Sequence, residues 1–189
     1  MEQTNPLLSH AALPAFSDIK PEQVTPALDQ VLQTNRQWLA QTLANNTSFT
    51  WNNLVTPLNE AGNRLERMWS PVSHMNAVVN TDELRKAYNA NLPKLSDYHT
   101  EIGQNEVLYN AIKSIRETEQ GLNAAQLKDL DDSLLSFKLS GIGLPAEQKA
   151  RFKDLSQQLS QLNSKFSDNV LDATNAWSKH ITDVQDLEG

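Results

Sequence analysis

Phe152, Leu155, Leu159, Leu162 and Phe166 follow one another at steps of three, four, three and four residues. A strand cannot present such a row on one face, because its side chains alternate with period two, whereas a helix with 3.6 residues per turn can. Ala173 and Trp177 continue the row, Asn169 takes the intervening seam position, and Val170 sits beside it. Pro145 and Glu147 form a helix-start pair just upstream. The row predicts one helix of about 30 residues, about 45 Å long at 1.5 Å per residue. In a chain of 189 residues, an element of that length needs other long helices beside it.

The preceding segment supplies one. Leu127, Leu130, Leu134 and Phe137 are spaced three, four and three apart, and Asn123 with Gln126 resembles a capping box. Between the two helices lies "LSGIGLP", residues 139–145. A glycine pair of this kind cradles a dinucleotide phosphate only after a strand and with a third glycine following. Here a helix precedes and no third glycine comes. The expectation is that Gly141 or Gly143 takes positive φ and ends the first helix, with Ile142 and Leu144 packed into the corner of an antiparallel pair.

Upstream, residues 1–20 read as an extended arm broken by Pro6 and Pro14, with Leu7, Leu8, Leu13, Phe16 and Ile19 as apolar anchors. A short turn from Pro21 is expected to precede a helix capped by Thr25 with Pro26 as its first residue, carrying Ala27, Val31 and Trp38 to the polar loop at 45–48. A second helix covers about 51–79, with Pro57 in its first turns and Pro71 expected to kink or break it. Thr81 starts the next, which runs past Pro93 towards Gly103, and a shorter helix at 105–117 carries Val107, Leu108, Ile112 and Ile115 before a loop at 117–123. No hairpin signal and no repeat occurs. The reading is an all-α fold of long antiparallel helices without a sheet: an arm at 1–20 and one helical domain at 21–189.

Charge narrows the partners. A net charge of −7 and a pI near 5.0 argue against nucleic acid, whose phosphates need clustered Lys and Arg, and against an anionic membrane surface. With no cysteine, disulfides and thiolate metal sites are excluded. The start "MEQTNPLLSH" has neither a basic n-region nor an apolar h-region, and no apolar run approaches 20 residues. The expected compartment is the cytoplasm.

A search for chemistry finds no complete constellation. His10, His74, His99 and His180 form no H-E-x-x-H and follow no glutamate by three residues. His99 and Glu101 are two residues apart, which on a helix puts them on different faces. Asp129, Asp131 and Asp132 lack the glycine and the closing glutamate of a Ca²⁺ loop and read as a solvated face. Ser70, Ser73 and His74 have no G-x-S-x-G elbow around them. Trp38, Trp51, Trp69 and Trp177 read as core anchors. No catalytic, cofactor-binding or metal-ligating residue is assigned in this chain.

Several blocks, in this order, carry a resemblance: "NPLL" at 5–8, "LPAFSDIKPEQVTPAL" at 13–28, "SPVSHMNAV" at 70–78, "LSGIGLP" at 139–145 and "FSDNVLDATNAW" at 166–177. The chain resembles, over its whole length, the N-terminal region of thimet-type zinc oligopeptidases. The resemblance implies a large, nearly all-helical cytosolic metallopeptidase that cleaves short peptides. One zinc ion is held there by the two histidines of H-E-x-x-H and a later glutamate, with the motif's own glutamate as general base. That motif lies far beyond residue 189, so no zinc or catalytic residue carries over to this chain, which would be inert alone. Its part would be one wall of a deep, narrow channel that admits short unfolded peptides, partnered by a C-terminal catalytic domain. Leu7, Leu8, Leu13 and Phe16 of the arm, and Ala173, Trp177 and Ile181, would then face the rest of the enzyme. The alternative is a stand-alone helical interaction module of shared ancestry; an H-E-x-x-H downstream in the same reading frame discriminates the two.

Overall fold

The computed structural model describes residues 5–9 and 11–187. Six helices follow in order: α1 Pro21–Asn45, α2 Thr56–Val78, α3 Asp82–Gly103, α4 Glu106–Thr118, α5 Ala124–Leu139 and α6 Ala146–Ala176. No strand occurs among the described residues, so the all-α expectation holds.

The helix starts follow side-chain chemistry. Asn123 and Gln126 satisfy each other's backbone N–H groups at 3.0 and 2.9 Å, the reciprocal capping box. Thr81 caps α3 by accepting from the Leu84 N–H at 3.3 Å, and Asn105 caps α4 through Leu108 at 2.9 Å. At α1 the structure differs from expectation. The helix begins at Pro21, with Lys20 as its N-cap and Pro26 inside. Gln23 makes the difference: its Oε1 accepts from the Lys20 N–H at 2.8 Å, which closes the first turn at Pro21 rather than Pro26. Thr25 does not cap; its hydroxyl accepts from the Asn91 amide of α3 at 2.8 Å. A proline so near a helix start costs little, since the first N–H groups lack helical partners anyway.

Pro71 does not break α2, which runs unbroken to Val78 with Pro71 buried within it. Pro93 likewise lies inside α3. Each proline removes one ladder bond, and packing on both sides of the helix holds the turn. A π-turn at Trp51–Val55 leads into α2, capped by Thr50.

Two apolar clusters form the interior. One gathers Val24, Leu28 and Leu32 of α1 with Leu65 and Met68 of α2 and Leu84 and Leu95 of α3. The other gathers Leu54, Leu108, Ile112, Ile115, Leu130 and Phe137. α1 reaches both, with Leu39 in the second. The arm is docked rather than free. Leu7 and Ile19 belong to the first cluster, the Asn5 amide donates to the Gln23 carbonyl at 2.8 Å, and Arg67 holds the Ala11 carbonyl at 2.5 Å. Leu7, expected to await a missing partner, is therefore core; Leu13 and Phe16 are exposed as expected.

The corner at 139–145 makes a Schellman motif. Gly141 has φ +81°; its N–H bonds to the Lys138 carbonyl and that of Ile142 to the Phe137 carbonyl, both at 3.1 Å. Ile142 and Phe137 also share the second cluster. Gly143 has ordinary φ and open space around it. The helices on either side do not form the expected antiparallel pair. α5 packs on α4, and α6 packs along α3.

Candidate functional site

The most distinctive surface is the one α6 makes. Its 31 residues include no buried side chain. It lies antiparallel on α3, with Phe152 and Leu171 half-buried and a series of polar ties along the seam. Lys149 pairs with Glu106 of α4 at 2.7 Å. Lys153 reaches Asp97 at 3.3 Å, and the Gln157 amide donates to the same carboxylate. The Ser164 hydroxyl donates to Asn89 Oδ1 at 2.6 Å, and the Asn89 amide donates to Asp168 at 3.2 Å.

Arg85 closes the far end. Its guanidinium donates to both oxygens of Asp172, at 2.9 and 2.7 Å, lies 3.5 Å from Asp168, and also holds Asn80 Oδ1. Asn80 is the non-glycine residue with positive φ among the described residues, so this guanidinium also fixes the turn between α2 and α3. The hydrogen bond from Arg85 holds the Asp172 carboxyl below the usual carboxylate range, and the one from Lys149 does the same for Glu106.

The opposite side of α6 carries the apolar row. Leu159 is 60% exposed, Leu162 62% and Phe166 71%, with Leu155 and Val170 also exposed. Trp177, just past the helix, is exposed too. It is therefore no core anchor, whereas Trp38, Trp51 and Trp69 pack partly buried against the two clusters.

A cleft of about 690 Å³ opens where the end of α2, α3 and α6 meet, lined by Asn76, Asn80, Tyr88, Asn163, Ser167 and Thr174 among others. Its polar groups are amides and hydroxyls together with the Asp168 carboxylate, which is engaged by Asn89 and Arg85. A second cleft of about 590 Å³ lies at the corner, beside Tyr109, Lys138, Gly141 and Phe152. The N–H groups of Gly141, Ile142 and Leu144 there are bonded within the corner itself. They are not free to cradle a phosphate.

The chemistry-bearing residues singled out in the sequence stay apart. His74 is exposed on α2, its ring 5.8 Å from that of Phe16. His99 lies on α3, and its neighbour Glu101 turns to Arg36 at 2.7 Å. His180 is exposed beyond α6, and His10 lies outside the described residues. Asp131 pairs with Arg116 at 2.8 Å, Asp132 with Lys128, and Asp129 accepts from Asn59 at 3.3 Å, so the acidic run is a paired, solvated face. Ser70 and Ser73 share α2 with His74, and no hydrogen bond joins them to it. Among the described residues no three His, Asp or Glu side chains converge as metal ligands, so these residues do not fit a zinc ion. No described helix is long and apolar enough to cross a membrane.

Sequence reasoning missed the α3–α6 seam. Its signal was present: Lys153, Gln157, Ser160, Ser164 and Asp168 recur at four, three, four and four residues, a second helical stripe beside the apolar one.

Known proteins place this architecture. The chain is 47% identical to Oligopeptidase A of Salmonella typhimurium over 98% of its length and 46% identical to Oligopeptidase A of Haemophilus influenzae over 100%. It is 35% identical to the Probable cytosolic oligopeptidase A of Arabidopsis thaliana over 98%. It spans 28%, 28% and 27% of those relatives' lengths. The sequence model of the neurolysin/thimet oligopeptidase N-terminal domain matches residues 28–149, from α1 through the corner into α6. The chain belongs to the family of neurolysin/thimet oligopeptidase N-terminal domains.

Proposed function

We propose that this chain is the non-catalytic N-terminal part of an oligopeptidase A-type zinc metallopeptidase acting in the cytoplasm. It walls the channel through which short unfolded peptides reach a zinc site elsewhere in the polypeptide. The observation that supports this reading is the match itself, which runs the length of the chain yet spans only 28% of the bacterial relatives. The absence of converging metal ligands among the described residues is consistent with chemistry located outside it. The chain's own contribution is shape. Long helices build a rigid wall, and a wall spaced for a single extended chain excludes folded proteins while positioning short ones, which lowers the entropic cost of reaching the reacting geometry.

The test is to follow the reading frame and express its product. The account expects H-E-x-x-H downstream, chelator-sensitive cleavage of short peptides, and folded proteins left intact. A frame that closes without that motif, or a product that degrades folded proteins as fast as short peptides, contradicts it.

A further inference from the structure

We infer that the outward apolar row of α6 is one half of a coiled-coil seam, and that its occupant is an amphipathic helix from the part of the polypeptide outside these residues. The inference rests on the reading of the chain as a portion of a longer peptidase. Leu155, Leu159, Leu162 and Phe166 hold strict a/d spacing, and Asn169 takes the next position of the same seam. A period of 3.5 residues matches a partner helix lying nearly along α6, because only such a partner meets the row over several turns. All four apolar members are exposed, and rolling α6 to bury them would break its ties to α3. Its other side is committed to α3 by Lys153, Gln157, Ser164, Asp168 and Asp172.

A helix with one apolar and one polar stripe normally buries the apolar one. Here the polar stripe faces the domain and the apolar stripe faces outward, the arrangement of a helix sandwiched between two bodies. The occupant follows from length. The chain spans 28% of its bacterial relatives, so most of their length lies elsewhere and is tethered to this portion in one polypeptide. Tethering raises the effective concentration of such a segment far above that of a free partner. Asn169, a lone polar residue in the seam, would set the register against a polar residue of the incoming helix.

The experiment compares the 189-residue chain with the whole reading-frame product, by hydrogen exchange over residues 152–173 and by thermal unfolding of Leu159→Gln and Phe166→Gln. In the chain alone these substitutions should leave Tm unchanged, since the side chains already face water. In the whole protein they should lower Tm by several degrees, and exchange of the α6 amides should slow about tenfold or more relative to the chain alone. Equal loss of Tm in both forms would make the row part of this domain's own core and overturn the inference. So would an α6 that exchanges equally fast in both forms. A chain-alone dimer dissolved by Phe166→Gln, with no added protection in the whole protein, would assign the row to a second copy and overturn it too. Peptide cleavage by a whole protein whose α6 stays unprotected would leave the proposed function standing and refute this inference alone.

Discussion

Gly141 and Gly143 flank the same isoleucine, yet the structure separates them sharply. Only Gly141 has positive φ, and a β-carbon there would meet Leu144 Cδ1 at 2.6 Å. Gly141→Val should cost about 1–3 kcal/mol, the strain of a β-branched residue in the left-handed region, while Gly143→Val should stay within about 0.5 kcal/mol as an open surface change. Urea unfolding of the two variants decides it, and equal losses would refute the assignment. The core makes a parallel contrast. Ile112 is buried in the second cluster, so Ile112→Ala should cost about 2–5 kcal/mol through lost burial and a cavity. Leu159→Ala in the chain alone should stay within about 0.5 kcal/mol. The sequence showed that a glycine ends α5 but not which one, because the choice depends on where the helix stops, and helix ends shift by a residue or two with local bonding. The same limit explains α1: a single Gln23 bond to Lys20 moved its start from Pro26 to Pro21.

At the scale of elements, α6 was legible in extent but not in orientation. The three-four row of apolar residues announced a helix of about its observed length, and Ala146–Ala176 is that helix. The usual rule then puts the row inside. It fails here because α3 offers Arg85, Asn89 and Asp97 as partners to the polar stripe. No single-helix pattern contains that information. The docking is electrostatic in part, so it should respond to acid. Asp172 and Glu106 are both held below their ordinary values by their hydrogen-bonded cations. Groups depressed in the folded state stabilise it above their unfolded pKa and lose that contribution as pH falls through the folded one. α6 should therefore loosen as pH falls below about 4, while staying docked between pH 5 and 8. Hydrogen exchange of residues 149–172 across that range tests it; loosening that begins near pH 6 would point to another group. Arg85→Ala should release the far half of α6, which its guanidinium ties through Asp168 and Asp172, while the two apolar clusters stay folded. Limited proteolysis between 164 and 176 should accelerate, and unchanged cleavage there would show that Arg85 does not hold the helix.

At the scale of the whole molecule, six helices close around two apolar clusters. Its fold class and the position of the corner could be read from periodicity, caps and the glycine pair, whereas the pairing of the helices on either side of the corner could not. The docked arm could not, because Leu7 and Ile19 are short apolar signals whose burial depends on the groove between α1 and α2. The missing motifs were legible in the sequence, and among the described residues His74, His99 and His180 join no cluster of three possible metal ligands. The measurement that bears most directly on the account is zinc content and cleavage of a fluorogenic short peptide, by this chain and by the whole reading-frame product side by side after dialysis. The account predicts no stoichiometric zinc and no chelator-sensitive cleavage in the chain, and both in the whole product. About one zinc per chain, with chelator-sensitive cleavage by residues 1–189 alone, would contradict it.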